Sequence, residues 1–398
     1  MPTNCYLARQ PIYDKDLHVY AYELLYRAAP EENAPAGLGD EATSEVITNT
    51  LTEIGLHQLV GEKLAFINFT RNFIVAPLPV PFSDRKIVIE ILEDIYGDEE
   101  VITGVKRLIE QGHIIALDDF IYSEIMHPLL DIANIVKLDI LSLSKTELIE
   151  HVAELKRYNV RLLAEKIETE EDYQRCCELG FELFQGYFFC RPRLYAQQRM
   201  STNKMLILQL LVELNDPEAD VNTLVDIISQ DVSLSYKLLR YINSAFFGLS
   251  TTIESIRSAV VYLGLKTIKE LATLLTLSSV DDKPHELFII AMTRAKMCET
   301  LASELGQSNK ESFFLVGLFS VLDGLLDTEM SEILTSLSLS DDINNALLTN
   351  EGILGQTLQS VIAYERGEWD KQTTLELSNK VKANAYLEAL GWVSETNL

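Results

Sequence analysis

Between residues 63 and 189 short apolar runs recur at regular intervals, separated by stretches with helical spacing. The runs are "KLAFINF" (63–69), "KIVIEIL" (86–92), "HIIALDD" (113–119), "NIVKLDI" (134–140), "VRLLAEK" (160–166) and "ELFQGYFF" (182–189). Their spacing is the one expected of βα units laid around a parallel sheet. After about residue 200 this pattern stops. "NKMLILQLLVEL", "NTLVDIISQ", "LSYKLLRYI", "SAVVYLGLKTIKELATLLTL" and "FFLVGLFSVLDGLL" place apolar residues at helical intervals instead. "CRPRLYAQQRMSTNK" (190–204), with a proline and several basic residues, reads as the junction. The pattern predicts an α/β unit followed by an all-α unit.

Each strand carries a polar residue at or near its C-terminal end: Asn68, Glu90, Asp118 with Asp119, Lys137, Glu165 and Gln185. In a (β/α)8 barrel those ends converge on one face, where the chemistry is done. A single example would be an ordinary satisfied strand end, but successive strands repeating it form a coherent set. Asn, Asp and Glu supply hard oxygen ligands for Mg²⁺ or Mn²⁺, and Lys137 can face an anionic substrate or polarise a water. Burying adjacent carboxylates is costly unless something holds them. Asp118 and Asp119 are therefore read as metal ligands. Two divalent ions bridged by carboxylates suit in-line attack on a phosphodiester.

Composition narrows the field. The chain has 398 residues, 47% hydrophobic and 23% charged, enough for two ordinary domains. Its net charge of −27 argues against nonspecific nucleic-acid binding, which relies on basic residues, although a local cation could still hold a small anion. No apolar run is long enough for a transmembrane helix, and "MPTNCYLARQ" lacks the features of a signal peptide. The five cysteines, scattered apart from the adjacent Cys176 and Cys177 and odd in number, make neither a disulfide framework nor a CxxC metal site. The expected location is cytoplasmic, without membrane contact.

The N-terminal half resembles the EAL-domain family of cyclic-di-GMP phosphodiesterases. "YELLYR" (22–27) stands where that family has EALLR, with Glu23 and Arg27. "INFT" supplies Asn68, "IEILE" Glu90 and Glu93, "LDDF" the paired aspartates and "VKLD" Lys137. "AEKIET" supplies Glu165 and Glu168, "FQGYFFCRP" supplies Gln185, and "RQPIYD" (9–14) matches the opening strand. The resemblance implies a modified (β/α)8 TIM-like barrel with a pocket for cyclic-di-GMP. In it Glu23, Asn68, Glu90, Asp118 and Asp119 would hold Mg²⁺ or Mn²⁺. Lys137 with Glu165 would orient or deprotonate the attacking water, and Arg27, Gln185 and Glu168 would bind the ligand.

This chain departs from the family at supporting positions. The glycine-rich loop expected after the aspartates is Phe120-Ile121-Tyr122-Ser123-Glu124, Leu24 replaces an alanine beside Glu23, and Lys166 replaces a glycine after Glu165. No ligand type is lost, but Glu93 loses the loop it would support. Changes to residues behind metal ligands commonly cost ten- to a hundredfold in affinity or activity.

"DVSLSYKLLRYINSAFFG" (231–248) and "TIESIRSAVVYLGLKTIKELA" (252–272) resemble the HDOD domain, a helical relative of the HD phosphohydrolases treated as a non-catalytic signalling module. Asp323 in "VGLFSVLDGLL" has no accompanying histidine, and His285 alone beyond residue 201 cannot build an HD centre. His285 reads as an exposed residue near a helix start, Asp341 and Asp342 as helix N-terminal charge. Tyr236, Arg240 and Tyr241 are either a binding face or a solvated helix side, and "NSAFFG" either packing or a partner-facing turn. The order of domains resembles the EAL–HDOD (YuxH-type) bacterial signalling proteins, with 1–195 the EAL-like domain, 196–203 the junction and 204–398 the HDOD domain.

Three functions follow from the resemblance. The first is a regulator in cyclic-di-GMP signalling, its barrel binding the nucleotide and its HDOD domain engaging a partner protein, with a homodimer possible and biofilm and motility the implied output. The second is an active phosphodiesterase producing pGpG. The third is a nucleotide-independent scaffold, against which Arg27, Lys137 and Gln185 weigh.

Overall fold

A computed structural model describes residues 5–28, 55–76, 87–121, 123–186, 208, 210–212, 214, 220–230, 232–243, 253, 255–277, 284–337, 339–369, 375 and 377–396. The chain divides into two compact units, one of Met1–Phe189 with Ala363–Asp370, the other of Cys190–Ile362 with Lys371–Leu398.

The first unit is a closed barrel of β1 (Cys5–Asp14), β2 (Val19–Ala28), β3 (Leu64–Phe69), β4 (Ile87–Ile91), β5 (Ile114–Leu117), β6 (Ile135–Asp139), β7 (Arg161–Glu165) and β8 (Leu183–Phe184), neighbours in chain order. Pairings from β2 to β8 are parallel, whereas β1 runs antiparallel to both β2 and β8. The periodic reading found β3 to β8 and a parallel sheet. It missed the antiparallel hairpin because a four-residue turn, not a helix, joins β1 to β2. Asp14 Oδ1 accepts the Asp16 and His18 amides across that turn at 2.9 and 3.0 Å, and Leu17 takes a left-handed φ of 62°. So short a connection permits only antiparallel pairing.

Helices α1 (Leu56–Val60), α2 (Arg71–Val75), α3 (Glu99–Glu110), α4 (His127–Leu130), α5 (Lys145–Leu155) and α6 (Glu170–Leu179) lie between the parallel strands. Their starts follow from local chemistry. Asp98 caps α3 through the Val101 amide, Ser144 and Glu147 form a capping box on α5, and Thr169 caps α6. Gly180 in a left-handed conformation ends α6. Strand β4, "IVIEI", is buried along its whole length, as a strand covered on both faces must be.

The second unit is helical among the described residues: α7 (Val221–Gln230), α8 (Val232–Ile242), α9 (Ile256–Leu263), α10 (Leu265–Leu277), α11 (His285–Glu304), α12 (Lys310–Phe319), α13 (Leu322–Leu326), α14 (Met330–Ser336), α15 (Asp341–Thr349), most of α16 (Gly352–Glu365) and α17 (Asn379–Thr396). Helix α11 packs against α12 and α17 and is buried on most sides, including Phe288, Met292, Cys298 and Leu301. His285 is exposed at its first turn, and Asp341 with Asp342 occupies the first turn of α15. Asn243 exchanges hydrogen bonds with the Ile253 backbone at 2.8 and 2.7 Å. The "AFFG" part of the turn, the side chains of Arg240 and Tyr241, and the junction lie outside the described residues. Tyr236 is 65% exposed. No described helix is long and apolar enough to cross a membrane.

Candidate functional site

The interior of the barrel is layered. One closed apolar cluster takes a single residue from every strand: Ile12, Ala21, Phe66, Val88, Ala116, Ile135, Leu163 and Leu183. Side chains two positions apart on a strand share a face. Two residues further along the parallel strands therefore come Glu23, Asn68, Glu90, Asp118, Lys137, Glu165 and Gln185, one layer above the apolar one. On antiparallel β1 the equivalent step runs backwards and reaches Gln10, paired in register with Glu23. Asn68 and Glu90 are likewise register partners.

Lys137 is the centre of this layer. It is fully buried, and its Nζ lies 2.6 Å from Glu90 Oε1, 2.7 Å from Asp118 Oδ1, 2.9 Å from Glu165 Oε1 and 3.5 Å from Glu23 Oε2. Burial alone would lower the lysine pKa, but Glu165, Glu23, Glu90 and Asp118 together raise it well above 10.5. Lys137 stays an ammonium, so it orients groups and cannot deprotonate a water. Burial pushes Glu90 well above the ordinary carboxyl range, partly opposed by Lys137. The same balance raises Glu165 to about 8. One ammonium does not neutralise four buried carboxyls, so burial favours the protonated forms of Glu90 and Glu165 more than it would for exposed carboxyls.

Gln185 holds the opposite side. Its Nε2 donates to Glu23 Oε2 at 2.8 Å and to Gln10 Oε1 at 3.2 Å, while its backbone extends the β7 ladder through Ala164 O. Gly186 follows directly and is packed close: at φ 156°, an added Cβ would sit 2.3 Å from the Ile167 backbone N and O. Gln10 was missed because the periodic reading did not count β1, although it stands two residues before inward-facing Ile12.

At the rim, Asp119 and Lys166 both take positive φ, 38° and 57°. The loop after the aspartates turns inward at Phe120, which is buried and donates its amide to Lys137 O, and outward at Ile121, 66% exposed. Glu93 and Glu168 are exposed on loops and make none of the Lys137 contacts. Arg27 is in β2 opposite Tyr6, with its side chain outside the described set.

The donors are carboxylate and amide oxygens, the chemistry of Mg²⁺ or Mn²⁺ sites. Among the described residues, Glu90 Oε2 and Asp119 Oδ1 are buried acceptors with no hydrogen-bond donor, which fits a cation supplied from outside. No group of three or more His, Cys, Asp or Glu among those residues is spaced to hold a metal. Instead, Glu23, Glu90, Asp118 and Glu165 gather on the Lys137 ammonium.

The EAL domain model matches residues 4–192, and the HDOD domain model matches residues 200–364. A relative from Bacillus subtilis (strain 168), "Uncharacterized protein YuxH", is 37% identical over 97% of this chain and 97% of its own. This chain belongs to the EAL–HDOD family. A second member, "Cyclic di-GMP phosphodiesterase CdgJ" from Vibrio cholerae serotype O1, is 34% identical over 98% of this chain and 93% of its own. The solved structure of a standalone EAL protein from Vibrio cholerae O395 in its c-di-GMP-bound form aligns with 48% of this chain and 92% of that one, at 22% identity and a TM-score of 0.37. In this EAL–HDOD protein, every residue of the Lys137 layer lies within the stretch that matches the EAL domain.

Proposed function

We propose that this EAL–HDOD protein is a regulator in cyclic-di-GMP signalling: its barrel binds the dinucleotide through divalent cations, and its HDOD domain engages a partner protein. The observation that carries this reading is the polar layer around Lys137, drawn from the strands of the barrel or, for Asp118 and Gln185, from the position directly after them. A scaffold without a ligand has no physical use for buried carboxyls held by one ammonium, an arrangement that costs stability. The resemblance to a cyclic-di-GMP phosphodiesterase over almost the whole chain supports the nucleotide.

Glu23, Asn68, Glu90, Asp118 and Asp119 are the residues proposed to hold Mg²⁺ or Mn²⁺. The bound ions would supply charge to the phosphodiester and acidify a water. Gln185 keeps Glu23 oriented through its 2.8 Å hydrogen bond and, with Arg27 and Glu168, is proposed to bind the ligand. Lys137 fixes the directions of four carboxyls at once.

A second reading, hydrolysis to pGpG, is favoured by Glu165. Its Oε1 is 2.9 Å from Lys137, and its pKa of about 8 suits a group that takes up and returns a proton near neutral pH. Purified protein incubated with cyclic-di-GMP and Mg²⁺ or Mn²⁺, with pGpG followed by chromatography, separates the readings, alongside calorimetry in Ca²⁺. Binding without turnover supports the receptor. Turnover lost in Glu23→Ala establishes the enzyme, and absence of both binding and turnover defeats both readings.

A further inference from the structure

Lys166 directly follows Glu165 in a left-handed conformation that favours glycine, φ 57°. Such strain persists where the surroundings over-determine it. Here the side chain spans the rim of the barrel. Its Nζ lies 2.6 Å from Asp139 Oδ2 and 4.0 Å from Asp119 Oδ1. Asp139 is itself fixed, its Oδ1 accepting the Leu141 amide at 2.8 Å and the Ser142 amide at 3.3 Å. Asp119 is held at φ 38°, and among the described residues its buried Oδ1 has no hydrogen-bond donor. Its carboxyl pKa is raised, first by burial and then against the opposing pull of Lys166.

The adjacent aspartates are therefore divided between two ammonium groups. Asp118 lies 2.7 Å from Lys137 inside the barrel, and Asp119 faces Lys166 at the rim. An ammonium anchored beside one of them repels an incoming divalent ion and offsets the charge that would attract it.

We infer that the Lys166 ammonium, anchored by Asp139 beside Asp119, is a resident cation taking the place of one of the two divalent ions, so that the barrel binds a single divalent ion. The inference rests on the reading of Asp118 and Asp119 as metal ligands. It names Lys166 as the residue that sets the metal content of this site, and a nucleotide phosphate near Asp119 would meet this fixed cation in place of a second metal.

The test is Mn²⁺ stoichiometry of the full-length chain by equilibrium dialysis with electron paramagnetic resonance detection. Wild type and Lys166→Arg, which keeps the cation, should each hold one Mn²⁺. Lys166→Gln should hold two, the second bound at least about tenfold more tightly than wild type allows. Should Lys166→Gln fold poorly, Lys166→Gly suits the left-handed backbone and carries the same expectation. Two ions on wild type, or one on folded neutral variants, overturn the inference and leave the metal-dependent receptor standing. No Mn²⁺ on any variant overturns the metal reading itself, and the inference with it.

Discussion

Glu90 Oε1 lies 2.6 Å from the Lys137 ammonium, and both side chains are completely buried. Removing the lysine would leave Glu23, Glu90, Asp118 and Glu165 facing one another without a cation. Lys137→Met should destabilise the metal-free protein by about 3–5 kcal/mol, the usual cost of breaking a buried ion pair from one side. Thermal unfolding in the presence of a chelator measures it. A melting temperature equal to wild type would mean that the cluster is not charged as described.

Gly186→Ala should act on Gln185. The new methyl would meet the Ile167 backbone at 2.3 Å, so the chain must shift where Gln185 reaches Glu23. We expect cyclic-di-GMP affinity to fall by at least about tenfold, as when the support of a ligating group is removed. Calorimetry in Ca²⁺ reads this directly, and unchanged affinity would detach Gln185 from the binding site.

Tyr364 closes an open strand edge. Its hydroxyl accepts the Leu7 amide at 3.3 Å and donates to the Leu7 carbonyl at 3.0 Å. Among the described residues β8 pairs only with Tyr13 and Asp14 of β1, so the start of β1 has no strand neighbour on that side. Tyr364→Phe leaves both Leu7 groups unsatisfied and should cost about 1–3 kcal/mol in a denaturant titration. Gln10 Nε2, two residues inward of Ala8, lies 3.5 Å from Arg366 O, so the same segment borders the Gln10–Gln185–Glu23 chain of hydrogen bonds. An unaltered midpoint would show that the hydroxyl contributes nothing.

In the helical unit Glu270 is raised from 4.5 to about 7, first by burial and only partly opposed by Lys266. The folded state thus holds this proton more tightly than the unfolded chain. The stability it contributes is complete below about pH 4.5 and lost as pH rises to about 7. Glu270→Gln, neutral throughout, should gain on wild type across that interval by on the order of 1 kcal/mol, allowing for solvent screening. Stability curves that stay parallel between pH 5 and 8 would contradict it.

The apolar periods of β3 to β8 made the parallel sheet legible, because strands buried on both faces can hold little but apolar residues, while its closure into a barrel was implied by the family resemblance. The polar exceptions at positions such as Glu90 and Lys137 were legible for the same reason: a charge there needs a partner to offset its burial. The motif order separated the two families, and the exposed His285 and the acidic start of α15 followed from local rules. Local patterning could not give the antiparallel β1. Its hairpin lacks the βα spacing, and with it Gln10 stayed hidden.

What the sequence alone determined was which residues are polar where a strand should be apolar. The tertiary structure decided whom they meet. Closure of the barrel brings Glu23, Glu90, Asp118 and Glu165, far apart in the chain, onto one lysine, and turns Lys137 from a candidate base into a fixed cation. It also sets Lys166 against Asp139 and Asp119, a meeting of β6, β7 and the loop after β5. Pair distances and desolvation fix charge states, and both exist only once the sheet has closed.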